Sequence, residues 1–236
     1  MTAPMKRRDF ARTLAAGSGL LLLGGGALTA CTKQDAAAPG GAASGAALVP
    51  VAGIDYAVLK NPLPTDAPAG KASMTEFFGY WCPHCNTFAP EVEAWRKQAP
   101  ANIAFDMVPV NFGSPGHEPL QRLYYALRDL GKLDDLHLRV YHALHVAKEP
   151  LVSSDAIIAW AGKQPELKDV DFASAYNSFS MDANLKKANQ LIEGYQVNGV
   201  PSFGVAGKYF CDGSMAKSLS RALQIAAHLA QQEAKG

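Results

Sequence analysis

The stretch Tyr80-Trp81-Cys82-Pro83-His84-Cys85-Asn86 holds two of the chain's four cysteines, separated by two residues. Just before it, Ser73 to Tyr80 (SMTEFFGY) is apolar, aromatic and of strand length, with no helical period. Just after it, Pro83 to Gln98 reads as a helix. Pro83 is tolerated in the first turn, where its missing N–H leaves no intrahelical bond unmade. The pair therefore falls where a strand ends and a helix begins. Such a junction turns unpaired backbone N–H groups, and the positive end of the helix dipole, toward Cys82.

Two thiols at this spacing can clamp a metal, anchor a haem, staple a turn or exchange electrons. A structural zinc site needs four ligands, and only Cys211 and scattered histidines remain to complete one. His142 and His145 stand three apart on an expected helix and read as its polar edge. Haem attachment needs a histidine directly after the second cysteine, where this chain has Asn86. A disulfide closing so small a ring restricts little unfolded-chain entropy, so it makes a poor structural staple. Thiol exchange fits the local physics. The helix start favours a thiolate at Cys82, His84 adds a hydrogen bond or a positive charge, and Cys85 sits one shielded turn further in.

Outward from the pair, Ala57 to Leu59 is a short strand candidate, and Ile103 to Phe112 is a longer one. Pro109 marks the latter as an edge strand or as bulged near its end. From Pro119 to about Lys187 the apolar spacing turns helical, with glycine stops and a Ser153-Ser154-Asp155 cap. Strands return at Ser202–Ala206 and Lys208–Cys211 across a tight Ala206-Gly207 turn. Ser214 to Glu233 closes the chain as an amphipathic helix. The order predicts an α/β protein, a mixed sheet interrupted by a helical insertion.

The chain has 236 residues, 48% of them hydrophobic and 18% charged, with a net charge of +1. That is an ordinary globular composition and makes no case for nucleic acid. Lys6, Arg7, Arg8 and Arg12 against Asp9 put +3 in residues 1–30, leaving −2 for the rest. This basic start and the apolar run Leu14 to Leu28 read as a signal peptide over residues 1–30, too short and glycine-rich for a membrane span. Arg7-Arg8-Asp9-Phe10 fits a twin-arginine export signal, although arginine pairs also occur in ordinary leaders. Leu28-Thr29-Ala30-Cys31 resembles a lipobox and makes Cys31 the candidate for lipidation, since plain cleavage wants a small residue where Leu28 stands. Residues 31–50, rich in Ala, Gly, Ser and Pro, read as a flexible tether. Export of this kind leads to a disulfide-permissive compartment, the periplasm, with membrane contact only through the lipid on Cys31.

Glu76-Phe77-Phe78, Cys82-Pro83-His84-Cys85, Val200-Pro201 and Lys208-Tyr209 together resemble thiol:disulfide interchange proteins of the DsbA type, over about residues 54–236. The resemblance implies a thioredoxin fold over 51–112 and 188–236, with an inserted helical domain at 113–187. It implies that Pro201 is a cis-proline beside the disulfide, leaving the Val200 backbone free to pair with an extended substrate. It casts Glu76 as the buried acid that exchanges a proton with Cys85. Met107 stands where such proteins often carry a basic partner for that acid, and Pro109 replaces a polar residue. Pro83 and His84 complete the redox centre, and Phe78, Tyr80 and Trp81 are expected as an apolar rim for unfolded peptide. The implied activity is that of a monomeric dithiol oxidase without a cofactor, acting on unfolded cysteine-containing secreted proteins. A quinone-linked membrane oxidase of the DsbB type would recharge it. A disulfide isomerase or reductase on the same fold, and a non-enzymatic, metal-binding thioredoxin-like lipoprotein, are the alternatives. Cys211 reads as a small buried hydrophobe.

Overall fold

A computed structural model describes residues 48–235. The expected leader, Cys31 and most of the tether lie outside the described residues. Five strands form one sheet in the order β1-β5-β4-β2-β3. They are β1 (Ala57–Val58), β2 (Ala72–Phe78), β3 (Ile103–Pro109), β4 (Ser202–Val205) and β5 (Tyr209–Asp212). Only β2 and β3 run parallel, and the other pairs are antiparallel. The sheet is therefore mixed. Near-continuous burial along β2, from Ala72 to Phe78, follows from its central place with both faces covered. β3 lies at the edge, where Pro109, its last residue, costs the ladder no donor.

Helix α1 (Pro83–Arg96) links β2 to β3, and α7 (Leu219–Glu233) ends the fold. α1, α7 and one face of the sheet enclose a core of Met74, Phe88, Val92, Phe203, Val205, Leu223 and Ile225. Each such side chain contributes about 1.5–3 kcal/mol on burial. Helices α2 (Glu118–Asp129), α3 (Leu133–His145), α4 (Ser154–Ala161), α5 (Phe172–Tyr176) and α6 (Phe179–Gly194) stand between β3 and β4. They share a second core with Phe77, Phe78 and Tyr80. α6 runs from Phe179 through residue 187 and ends at Gly194.

Two local features depart from, or explain, the sequence reading. α7 begins at Leu219, not Ser214. The Asp212 carboxylate accepts N–H bonds from Ser214 and Met215 at 2.9 Å each, which ties those residues into a turn, and Ser218 then caps the helix. Between β4 and β5, Ala206 and Gly207 both take positive φ, 51° and 66°, as a type I′ turn requires, and the Lys208 N–H closes it on the Val205 carbonyl at 2.9 Å. A Cβ on Gly207 would lie 2.1 Å from the Leu63 carbonyl oxygen, so the position accepts only glycine.

Candidate active site

Cys82 is the N-cap of α1. Its backbone is extended (φ −85°, ψ 121°), and its Sγ accepts the Cys85 N–H at 3.4 Å. Pro83 occupies the first turn, and Pro83 and His84 are exposed. The Cys82 thiol ionises near pH 6, well below the ordinary value of 9.0. The hydrogen bond with the Cys85 side chain is the largest cause. Backbone N–H bonds from Cys85 and His84 and the His84 charge add to it, and burial opposes them. One turn inward the sign reverses. Burial, the largest effect, and then Cys82 itself push the Cys85 thiol far up. Adjacent cysteines are thus held as one thiolate and one thiol.

The Val200-Pro201 peptide is cis, and its Val200 carbonyl oxygen lies 3.5 Å from Cys82 Sγ, a hydrogen bond only while that thiol is protonated. Chain positions 118 residues apart meet at the reactive sulfur. Pro201 is buried and Val200 half-buried beside it. Glu76 is 4% exposed on β2, in register with Met107 on β3 and Phe203 on β4. Burial first, and the negative charge of Glu93 second, raise its pKa to about 8, so it is protonated at neutral pH. Cys85 lies within electrostatic range of it.

The expected aromatic rim is only partly there. Phe78 and Tyr80 are each 1% exposed, because helices α2 and α3 cover them. Trp81 alone is half-exposed. Its indole N–H donates to the Val110 carbonyl at 2.9 Å, and His117 stacks on its face at 4.4 Å and 8°. Gly79 makes this possible, since a Cβ there would stand 2.6 Å from the indole.

Sequence reasoning missed the layer beneath. His137, Tyr141 and His145 recur every four residues along α3, so helical spacing alone puts them on one face. Tyr80 Oη is hydrogen-bonded to His137 Nδ1 at 2.9 Å, and His145 Nε2 to the Tyr80 carbonyl at 2.8 Å. Burial drives the His137 pKa down to about 3, so the ring is neutral. A neutral ring carries one N–H and one acceptor nitrogen, so its tautomer sets which partner donates in the bond to Tyr80. Gln121, 2% exposed, donates to the Pro109 carbonyl at 2.7 Å and fastens the end of β3 to α2. Among the described residues no three His, Cys, Asp or Glu side chains converge as a ligand set. His142 and His145 form no such group, and Cys211 lies apart, buried under α7 with its thiol toward the Ala222 carbonyl at 3.5 Å.

A family model described as a DSBA-like thioredoxin domain matches residues 73–224. The thiol:disulfide interchange protein DsbA of Bordetella parapertussis is 36% identical over 181 residues, which is 76% of this chain and 85% of that protein. The protein of the same name from Burkholderia cepacia is 35% identical over 190 residues, 80% of this chain and 89% of its own. The crystal structure of Pseudomonas aeruginosa DsbA superposes with a TM-score of 0.70 at 33% identity, covering 78% of this chain and 94% of that one.

Proposed function

The chain belongs to the DsbA-like thioredoxin family, and from that membership we propose that it is a dithiol oxidase. It donates a Cys82–Cys85 disulfide to unfolded proteins that carry reduced cysteines. The observation that carries this reading is the asymmetry of the pair: Cys82 ionises near pH 6 at the head of α1, while Cys85, one turn inward, is held as a thiol. A substrate thiolate attacks Cys82 Sγ. The bond between the two cysteines breaks, and Cys85 leaves with the electron pair and takes up a proton. A second substrate thiolate then attacks the substrate sulfur of the mixed disulfide, and Cys82 departs as a stabilised thiolate. A good leaving group makes release fast and leaves the enzyme disulfide easy to reduce.

Val200, whose carbonyl meets the reactive sulfur, and the cis Pro201 after it are assigned to substrate backbone, together with the half-exposed Trp81 that precedes Cys82 in the chain. Glu76 is assigned as the proton donor to Cys85. The reduction potential of the Cys82–Cys85 couple tests the direction of electron flow. A value less negative than the roughly −220 mV of the glutathione couple supports the oxidase. A value near about −270 mV, where thioredoxins lie, overturns it in favour of a reductase.

The remaining assignments rest on the sequence. The basic, apolar leader and the Cys31 lipobox support export to the periplasm and a lipid anchor there, and a quinone-linked membrane oxidase of the DsbB type would reoxidise Cys82 and Cys85. Fractionation of a Cys31→Ser protein tests the anchor. Release of the variant into the soluble fraction supports it, and unchanged partition removes it.

A further inference from the structure

Met74 on β2 points into the core under α1 and α7, so its neighbours Ser73 and Thr75 point to the opposite face of the sheet. Ala104 and Asp106 of β3 lie beside them in register. Side chains this short do not fill the space under α6, and a cavity of about 670 Å³ opens there. Gln190 and Leu191 of α6, with Tyr195, form a second wall, and the loop between β1 and β2 forms a third at residues 63–67. These walls are fixed. The Leu63 N–H donates to the Gly207 carbonyl at 2.8 Å, and Tyr195 Oη accepts the Gly207 N–H at 2.8 Å. At the rim, Lys187 of α6 is paired with Asp66 of the loop. A space of this size, open on one side, suits a small organic molecule.

The polar groups of the lining select the charge of that molecule. Lys187 is its one basic side chain, and Asp66 already neutralises it. Asp106 is exposed, and its Oδ1 accepts the Met107 N–H at 2.9 Å, but no basic side chain among the described residues pairs with it. The lining therefore carries one uncompensated negative charge, which favours a cation over an anion. Ser73 Oγ is buried in the floor without a hydrogen-bond partner, a polar group that the fold leaves unused. Leu63, Pro64 and Leu191 supply apolar surface. The redox pair lies elsewhere. From Ser73 to Phe78, roughly 17 Å of strand separates this floor from the turn that leads to Cys82.

We propose that this cavity is a binding site for a small amphipathic amine, separate from the redox centre and independent of the oxidase reading. The ammonium group sits at the Asp106 carboxylate, at the open edge of β3. The hydrocarbon or aromatic body lies between Leu63 and Pro64 on one side and Leu191 on the other. One rotation about the Cα–Cβ bond turns the Ser73 hydroxyl toward a second polar group of the ligand. An anion has no such place, because the Lys187 charge is spent on Asp66.

The test is a titration of the isotope-labelled protein with 2-phenylethylamine, followed by backbone amide shifts, with 3-phenylpropionate as the probe of like shape and opposite charge. The amine is expected to shift the amides of Thr75, Asp106 and Gln190 saturably in the millimolar range and to leave those of Cys82 and His84 in place. The acid is expected to bind about tenfold more weakly. Asp106→Asn, which still offers an oxygen to the Met107 N–H, is expected to weaken the amine about tenfold. Ala104→Trp fills the cavity and is expected to remove binding. Should that protein not fold, Gln190→Trp at the exposed rim of α6 is expected to do the same. Absence of saturable shifts with the amine overturns the site. So does equal affinity for the acid, parent affinity in Asp106→Asn or in the folded tryptophan variant, or a set of saturable shifts centred on Cys82.

Discussion

Cys82 and Cys211 are buried to nearly the same degree, 4% and 1% exposed, yet their thiols titrate at opposite ends of the scale. Cys82 is drawn down to about 6 and Cys211 is pushed up to about 12. Burial raises both. What differs is the backbone around them. Cys82 opens a helix whose first N–H groups, with the Cys85 side chain, converge on its sulfur. Cys211 sits mid-strand, its N–H and C=O directions spent on the sheet, and Asp212 adds a negative charge beside it. Depth alone therefore says nothing about whether a thiol will react, while the direction of nearby dipoles says a great deal.

The contrast breaks most completely if the wrong cysteine proves essential. Cys82→Ser is expected to abolish peptide oxidation and Cys211→Ser to leave it at the parent level, both read in one turnover assay. Next comes alkylation of the reduced native protein by iodoacetamide at pH 7, followed by peptide mass mapping. Thiolate populations alone favour Cys82 over Cys211 by about 10⁴-fold or more. Modification of Cys211 at a comparable rate would mean that α7 does not shield it.

The stability of the reduced protein sharpens the comparison through pH. A reduced-state pKa near 6 lies below the ordinary 9.0, so the unfolded chain holds the Cys82 proton more tightly. The thiolate contribution is therefore full above pH 9 and disappears as pH falls through 6. The oxidised protein has no such thiol. Urea unfolding of both forms should show the reduced form gaining on the oxidised one as pH rises from 6 to 9, and a constant gap would contradict the thiolate. A smaller effect separates the causes. Cys85→Ala should raise the Cys82 pKa more than His84→Ala does, since the Cys85 contact ranks first and the His84 charge last. Thiolate absorbance near 240 nm decides the order. Smallest is Cys211→Ala, with a stability loss of about 1–2 kcal/mol and unchanged activity.

Much of this site is legible in short stretches. Ser73 to Tyr80 lacks a helical period and Pro83 can only open a helix, so the strand-to-helix junction, and Cys82 at it, are written locally. The return of strands at 202–212 and the Ala206-Gly207 turn are equally local. Tyr80 was not legible in this way. Its aromatic neighbours suit a rim as well as a core, and only the helices that follow β3 decide that it is buried and bound to His137, 57 residues away. The start of α7 was missed for a nearer reason. Ser214 and Ser218 are both acceptable caps by type, and the Asp212 side chain chooses between them by holding 212–215 in a turn.

The acidity of the first cysteine is a property of chain order: whatever residue opens that helix faces its free N–H groups, and the order places Cys82 there. The second half of the chemistry depends on distance through space. Which carbonyl meets the Cys82 sulfur, which acid lies within reach of Cys85, and that Glu93 rather than a base on β3 stands behind that acid, are set by α1 packing against the sheet and α3. Those contacts join residues far apart in sequence, and electrostatic energy in a buried site changes with every ångström, so no local pattern encodes them.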